Sequence, residues 1–375
     1  MKTNQPFRFA LAIAFSFIAS AAFADGYTDL SSVATAGRVY DAGGAFVTVF
    51  DRNGLPTAER VFLLNGGYPP ILDAEPLADV WIFDNDFWRH IPSDAPAMAE
   101  HGLVVSADGR AWALGGIGSD NWLRSLATLT RFEIRRVDGR LEVIAASVQV
   151  PGPVPATCFG QSFVSINGGR SILAVGGACL GNPLDPKPGQ LWEFSTMSNQ
   201  WRRLADLPVT ISNHSAIAAR DYLWVFGGEI DGVLSSDVFA YDILLDSWGQ
   251  VPIPGIGPEP RRDHGAVAVG NKMVVFGGIE EPFFPEAMDD CWQLDLDTLV
   301  WSEKAPLPFD LAGMSVATVP RQMCTSRTAE VLIYGGITDA WSFPPDLSNS
   351  TLIYTSDLRN AGQPYEQPHP TAVSR

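Results

Sequence analysis

The chain has 375 residues, of which 46% are hydrophobic and 18% are charged, and its formal net charge at pH 7 is −17. This composition is typical of a globular protein and excludes an intrinsically disordered chain. The excess of acidic groups repels phosphate backbones and anionic lipids, so we expect no nucleic-acid partner; the same charge favours solubility.

The first 24 residues have the layout of a secretory signal peptide. Lys2 and Arg8 are basic, residues 9–18 form an apolar run too short for a membrane span, and Ala22 and Ala24 precede a cleavage point before Asp25. The Ala-x-Ala ending indicates a bacterial Sec-type signal. Removing this segment takes away two cations and no acid, so the net charge becomes −19. We therefore expect a periplasmic or secreted protein without a membrane span.

A repeated strand signal organises the rest of the chain. Six times, a run of about four mostly apolar residues ends in a Gly-Gly doublet, and the successive spacings are 49, 61, 51, 50 and 58 residues. The doublets are Gly66-Gly67, Gly115-Gly116, Gly176-Gly177, Gly227-Gly228, Gly277-Gly278 and Gly335-Gly336. A period of this length indicates a repeat architecture, which can form one large domain.

Two further landmarks recur in the same phase. An apolar residue precedes a tryptophan by seven positions, in the pairs Phe194 with Trp201, Tyr241 with Trp248, and Leu294 with Trp301. Upstream, a histidine precedes the doublet by 14, 13 and 13 residues, at His101, His214 and His264. Short β-rich runs separated by turn residues, without a helical period, predict an all-β protein.

Together the landmarks resemble the kelch repeat family over nearly the whole mature chain. This resemblance implies four-stranded antiparallel blades around a central channel. We therefore predict an all-β, six-bladed kelch-type β-propeller at residues 25–360, followed by a flexible C-terminal tail at 361–375. The sixth repeat has a third strand near residues 351–355 and no clear fourth strand, so a strand from the N-terminal segment 27–40 is predicted to close the ring.

Four cysteines in an exported chain are compatible with disulfide bonds. In the hairpin that turns at Gly168-Gly169, Ile166 pairs with Ser171, and the same register places Cys158 opposite Cys179. We predict a disulfide between these two cysteines. For Cys291 and Cys324, the sequence leaves open both a bridge and two separate buried thiols.

Strand direction places the starts of the inner strands, the doublets and the long loops after them on one face, which we call the long-loop face. Variable loops over a rigid scaffold commonly carry binding sites. The ligand-binding residues predicted on this face are Tyr68, His101, Trp122, Arg124, His214, Arg261, His264 and Glu280.

When the six repeats are aligned, the residues at the histidine position are Gly43, His101, Phe159, His214, His264 and Met314. Three imidazoles from three blades are a conceivable metal site, but these blades are not symmetrically placed and a zinc ion requires short bonds of about 2.0–2.1 Å. Histidine at this position is also ordinary in kelch repeats. We therefore predict a structural role, no metal and no cofactor.

Two functions are compatible with this sequence. The preferred one is a non-catalytic binding or scaffold module that recognises an extracytoplasmic protein or glycan through the long-loop face. The alternative is a sugar mutarotase, because in size, export signal and repeats the chain is similar to the bacterial periplasmic N-acetylneuraminate epimerase family. That resemblance implies an acid–base carboxylate, Glu229, and a cation for the sugar carboxylate, Arg262 or the neighbouring Arg261. No nucleophile elbow, phosphate-binding glycine loop or Cys-x-x-Cys motif is present.

Overall fold

The computed structural model describes residues 26–29, 39–69, 75–84, 87–119, 124–179, 189–280, 286–320, 328–339, 346–347 and 350–357. These residues form an all-β protein of antiparallel sheets, and the 3₁₀ turn Asn167–Gly169 is the sole helical element among them. No helix within these ranges has the length and apolar character to cross a membrane. The predicted signal peptide and C-terminal tail lie outside the described residues.

Four-stranded units dominate the fold, and each consists of an inner strand, a second strand that ends at a doublet, a third strand and an outer strand. The first unit is Gly43–Phe50, Pro56–Asn65, Val80–Asp84 and Phe87–His90; the second is Gly102–Val105, Ala111–Leu114, Thr128–Val137 and Arg140–Gln149; the third is Ser162–Ile166, Ser171–Val175, Leu191–Ser195 and Gln200–Arg203. A short parallel pairing of Val49 with Ile134 also joins the first unit to the second.

The other three units repeat this order along the rest of the chain. The fourth is Ser215–Ala219, Tyr222–Phe226, Val238–Asp242 and Ser247–Gln250; the fifth is Gly265–Ala268, Lys272–Phe276, Cys291–Asp295 and Val300–Glu303; the sixth is Ser315–Thr318, Thr328–Tyr334, Thr351–Asp357 and the N-terminal strand Gly26–Asp29. In the sixth unit Gly26 lies opposite Thr355. An N-terminal strand therefore occupies the outer position for which the sequence offered no C-terminal candidate.

Small two- and three-stranded ladders accompany the main units. Their strands are Met98–Ala99, Ile117–Gly118, Cys158–Phe159, Ala178–Cys179, Ile211–Ser212, Glu229–Ile230, Val233–Leu234, Ile337–Asp339 and Asp346–Leu347. Several of them directly follow a doublet or directly precede an inner strand, so they shape the long-loop face.

Neighbouring units pack against each other through buried apolar side chains. Trp201 pairs across the outer hairpin with Phe194, and its indole N–H donates a hydrogen bond to the carbonyl of Leu126 in the preceding unit, at 3.0 Å. Trp301 likewise reaches back to Phe226, with ring centroids 5.1 Å apart. Neighbouring blades of a propeller diverge toward its outside, so large aromatic side chains are needed to fill the space between them. The repeated tryptophans therefore have the packing role that the sequence indicates.

Backbone hydrogen bonds connect the units where the inner strands begin. The donor and acceptor pairs, from N–H to carbonyl oxygen, are Asp41 to Gly313 at 2.9 Å, Gly313 to Asp263 at 2.8 Å, Asp263 to Asn213 at 3.1 Å, Asn213 to Gly160 at 2.9 Å and Glu100 to Asp41 at 2.9 Å. The first unit is thereby bonded to both the second and the sixth. The Ala107 N–H donates to the Gly169 carbonyl at 2.9 Å and so joins the second unit to the third. From these bonds we infer a ring of six blades around a channel.

The register predicted for the cysteine hairpin is confirmed. Ile166 lies opposite Ser171 in the inner hairpin of the third unit, and Cys158 lies opposite Cys179 in the short ladder beside it. Cys291 is buried in the fifth unit, whereas Cys324 lies outside the described residues.

The predicted disulfide between Cys158 and Cys179 has a direct chemical test. Trypsin cuts after Arg140, Arg170 and Arg202 and leaves the Lys187-Pro188 bond intact, so the two cysteines fall on separate peptides, 141–170 and 171–202. We expect a non-reducing digest of alkylated protein to contain these peptides as one linked species, which separates after reduction. Recovery of both peptides alkylated before any reduction would contradict the bond.

Candidate binding site at the channel mouth

The residues that immediately precede the six inner strands surround the end of the channel on the long-loop face. They are Ala42, His101, Gln161, His214, His264 and Met314. The alignment that placed Gly43 and Phe159 at this position is therefore wrong. In the first and third units the loop before the inner strand differs in length by one and two residues, a difference that only the strand register reveals.

The three histidines are buried between blades. His101 and His214 are each 7% exposed and His264 is 8% exposed. Burial lowers the pKa of His101 and of His214 to about 3 and the pKa of His264 well below its ordinary value, so all three imidazoles are neutral at physiological pH. The His264 ring hydrogen-bonds with the Ser215 hydroxyl at 2.7 Å.

Each of these rings rests against a doublet glycine of the preceding blade. A Cβ placed on Gly176 would lie 2.6 Å from Cε1 of His214, and Gly176 has a φ of +66°. A side chain there would meet both a steric clash and a strained backbone, so this position requires glycine. This contact gives the histidines the structural role that the sequence predicts.

One residue further upstream, the chain turns into each inner strand through a left-handed backbone conformation. The six residues of this ring, which we call the mouth ring, have φ values from +52° to +61° and are Asp41, Glu100, Gly160, Asn213, Asp263 and Gly313. Glycine, asparagine and aspartate are the residues that adopt this conformation most readily. The turn therefore accounts for most of the residue types in the ring, and it brings three carboxylates to one place.

The mouth ring opens into a cavity of about 500 Å³. Its wall includes Tyr40, Asp41, Glu100, His101, Gln161, Asn213, His214, Arg262, Asp263 and His264. A cavity of about 570 Å³ at the opposite face contains Asp108 and Arg110, but there the guanidinium is paired with Asp108 at 2.7 Å and with Glu133 at 2.6 Å. The two ends of the channel therefore differ in how far their charges are compensated.

The carboxylates of the mouth ring raise one another's pKa. Burial, followed by the charges of Asp263 and Glu100, holds the pKa of Asp41 well above its ordinary value. Burial and the charge of Asp263 raise the pKa of Glu100 to about 7. For Asp263 burial raises the pKa to about 6, although Arg262 opposes the shift. Within the mouth ring, Glu100 and Asp263 consequently titrate near neutral pH, beside the Asp41 carboxyl group, whose pKa is also raised.

Arg262 is the cation that partly compensates this cluster. Its Nη1 donates to the Asp263 carboxylate at 2.5 Å, and its Nε lies 3.2 Å from the Glu229 carboxylate. Within the described parts of the chain, no ion pair joins a cation to Asp41 or to Glu100. The predicted catalytic pair, Glu229 and Arg262, is thus brought together at the rim of the cavity.

Two tyrosines flank the acidic side of the cavity. The rings of Tyr40 and Tyr68 lie 5.2 Å apart, and the Tyr68 N–H donates to the Tyr40 carbonyl at 2.9 Å. Burial and the neighbouring charges of Asp41 and Glu100 raise the pKa of Tyr40 to about 12 and raise that of Tyr68 as well. Tyr68, predicted to bind ligand, therefore lies beside the mouth ring.

The other predicted binding residues are dispersed. Arg261 has no exposed surface and makes a two-point ion pair with Asp290, with bonds of 2.6 and 2.7 Å. Arg124 donates to the Ala97 carbonyl at 3.2 Å and lines a smaller cavity of about 250 Å³ at the first and second units. Glu280 is exposed, and Trp122 lies outside the described residues. Of this group, Arg261 is placed as a structural clamp.

Sequence reasoning missed Asp41, Glu100 and Asp263. The available signal was the residue directly before each histidine, which is Glu100, Asn213 or Asp263. In the first unit the alignment is offset by one residue, so Asp41 does not align with them. Among the described residues, no group of three His, Cys, Asp or Glu side chains is arranged to hold a metal ion.

Comparison with known proteins gives both a family and partial relatives. The family model described as the KLHDC2/KLHL20/DRC7 Kelch-repeats domain matches residues 141–336. The leucine-zipper-like transcriptional regulator 1 homolog of Drosophila melanogaster is 26% identical over 134 residues, which are 32% of this chain and 14% of that protein. The acyl-CoA-binding domain-containing protein 4 of Arabidopsis thaliana is 26% identical over 60% of this chain and 33% of its own length. Host cell factor 1 of Homo sapiens is 28% identical over 40% of this chain and 8% of its own length. The chain thus spans at most a third of these three relatives.

Proposed function

The chain belongs to the kelch-repeat family, and on that basis we propose that it is a binding scaffold that recognises an extracytoplasmic protein through its long-loop face. The observation that supports this most directly is the cavity at the mouth ring, whose volume is in the range of known ligand pockets. It lies on a hydrogen-bonded frame of inner strands, so a partner meets a preorganised surface. The signal-like residues 1–24 support the extracytoplasmic location.

A glycan is the other partner that the long-loop face was predicted to take, and a sugar mutarotase is the corresponding enzymatic alternative. The ion pair between Glu229 and Arg262 favours it, because the two groups lie 3.2 Å apart at the rim. However, Arg262 already contacts Asp263, and three carboxylates surround the cavity. Each of these carboxylates repels an anionic sugar such as sialic acid once it is ionised, so the binding scaffold is the better supported function.

Site-specific photo-crosslinking tests the proposed scaffold. A photoreactive amino acid at Glu280, which is exposed on the long-loop face, is expected to give a discrete protein adduct in cells that export the protein. The same group at Leu244, which is 78% exposed in the hairpin turn between the third and outer strands and thus at the opposite face, is the matched control.

An adduct that forms equally at both positions, or at neither, would contradict binding through the long-loop face. The same purified protein distinguishes the enzyme: proton NMR of anomer exchange in sialic acid should show the buffer rate. Acceleration that Glu229→Gln abolishes would instead establish the mutarotase.

A further inference from the structure

We propose that the mouth ring binds a positively charged side chain of a protein partner, with the ammonium or guanidinium group held between Asp41, Glu100 and Asp263. The inference rests on the proposed scaffold function and specifies the chemistry of the group that enters its cavity.

The three acidic residues of the mouth ring line the cavity at the end of the channel. Gly160 and Gly313 have no side chains, and the other non-acidic member, Asn213, is neutral. A Cβ on Gly313 would lie 2.7 Å from the Asp41 carboxylate, and one on Gly160 would lie 2.1 Å from the Asn213 side-chain oxygen. The two glycines therefore make room for the side-chain oxygens of their neighbours in the ring, Asp41 and Asn213.

A second, independent observation comes from the floor of the same cavity. Both ring nitrogens of His101 and of His214 lack a hydrogen-bond partner among the described residues, although each side chain is only 7% exposed and lines the cavity. The Gln161 side-chain oxygen also lacks a hydrogen-bond partner among the described residues. Buried polar atoms normally have partners. A neutral imidazole supplies an acceptor nitrogen, so these rings can receive N–H groups from a ligand or from water that accompanies it.

The charged side chains that line the cavity determine whether it attracts a cation or an anion. Three carboxylates face the cavity against the single guanidinium of Arg262 among its lining residues, and Asp41 and Glu100 have no described ion pair. Burying carboxylates beside one another is unfavourable, and an incoming cation relieves that repulsion. The histidines are neutral and do not oppose a cation.

The aromatic pair beside the ring strengthens this preference. The hydroxyl groups of Tyr40 and Tyr68 are close enough to Asp41 and Glu100 to feel their charges. Tyr40 lines the cavity, and its ring lies 5.2 Å from that of Tyr68. Aromatic rings attract ammonium and guanidinium groups. Carboxylates combined with an aromatic wall are suited to the basic end and the apolar stem of a lysine or arginine side chain. A protein partner that presents such a side chain would place it in the channel.

Calorimetric titration of the full chain with N-acetyl-tetralysine amide in 150 mM salt tests the site. We expect measurable binding that weakens at least tenfold in the double variant Asp41→Asn, Glu100→Gln. The control is Glu142→Gln, Glu303→Gln, which replaces the same number of carboxyl groups on exposed outer strands and should change the dissociation constant less than twofold. Because the whole protein is acidic, this control separates the mouth ring from general attraction of a basic peptide.

Equal loss in both double variants, or no loss in either, would overturn the inference. Calcium binding that the mouth variant abolishes, without any tetralysine binding, would overturn it in favour of a metal ion. If the wild-type chain ignores tetralysine while the Glu280 adduct forms, the cation site fails and the scaffold stands. If tetralysine binds at the mouth and no adduct forms, the scaffold fails instead.

Discussion

Replacing Arg261 with leucine is expected to destabilise the propeller by about 3–5 kcal/mol, the usual cost of removing one partner of a buried ion pair. The Arg261 guanidinium is fully buried. It binds the Asp290 carboxylate through two bonds and also donates to the Gly277 carbonyl at 3.0 Å. Its own carbonyl accepts from Gly228 at 2.7 Å. Leucine keeps this backbone bond between the fourth and fifth blades, so the variant removes only the side-chain contacts within the fifth blade. The Gly277 carbonyl loses this donor, and the Asp290 carboxylate keeps the Trp292 indole N–H at 2.7 Å.

Urea unfolding followed by tryptophan fluorescence measures this effect. The control is Arg202→Ala, which breaks the ion pair with Glu193 at a side chain that is 69% exposed and should cost less than about 1 kcal/mol. Arg261→Lys keeps the charge but cannot form the two-point contact, so an intermediate loss is expected. A leucine variant as stable as the wild type would mean that the ion pair does not stabilise the fifth blade and would return Arg261 to the predicted ligand-binding set.

Replacing Glu100 with glutamine is expected to stabilise the protein at pH 8 and to have little effect at pH 5. The folded-state pKa of Glu100 is about 7, raised from an ordinary value of 4.5. A carboxyl group with a raised pKa binds its proton more tightly when folded, so its contribution to stability is present below pH 4.5 and is lost as the pH rises through 7. The shift corresponds to about 3 kcal/mol when Glu100 is fully ionised. Glutamine cannot ionise and therefore avoids that penalty.

The groups that face Glu100 determine the size of the effect. Asp41 and Asp263 add like charge, Tyr40 and Tyr68 stand beside it, and His101 is neutral at both pH values. Arg262 lowers the pKa of Asp263 and so favours the ionised form of this neighbour. Free energies of unfolding at pH 5 and pH 8 provide the measurement, with Glu142→Gln as the exposed control. A stability difference between wild type and Glu100→Gln that is the same at both pH values would rule out the shared charge at the mouth ring.

Much of the fold was predictable because kelch blades are built from local, repeated contacts. The doublets mark where second strands end, and the apolar residue seven positions before a tryptophan becomes its cross-strand partner, as in Tyr241 and Trp248. The register of Cys158 and Cys179 followed from simple counting along one hairpin. A hairpin register depends only on the turn and on residues close in sequence, so it survives without tertiary information.

The candidate site, in contrast, depends on contacts between segments that are distant in the sequence. Asp41, Glu100 and Asp263 come from three blades and approach only because the inner strands begin around one channel. The loop before the first inner strand is offset, so a sequence alignment placed Gly43 where the structure has Ala42 and left Asp41 out of the column. Proximity between distant segments is set by the packing of whole blades, and a single repeat carries no trace of it.

Arg261 and Arg262 show most clearly what the sequence determines and what only the tertiary structure decides. The sequence by itself determined that two adjacent arginines precede an inner strand, and it offered either one as the ligand-binding cation. Only the tertiary structure decided between them. Arg261 is fully buried against Asp290, while Arg262 reaches the acidic mouth ring. Consecutive side chains on an extended segment point in opposite directions, and which direction faces a neighbouring blade or the channel depends on how the blades are assembled.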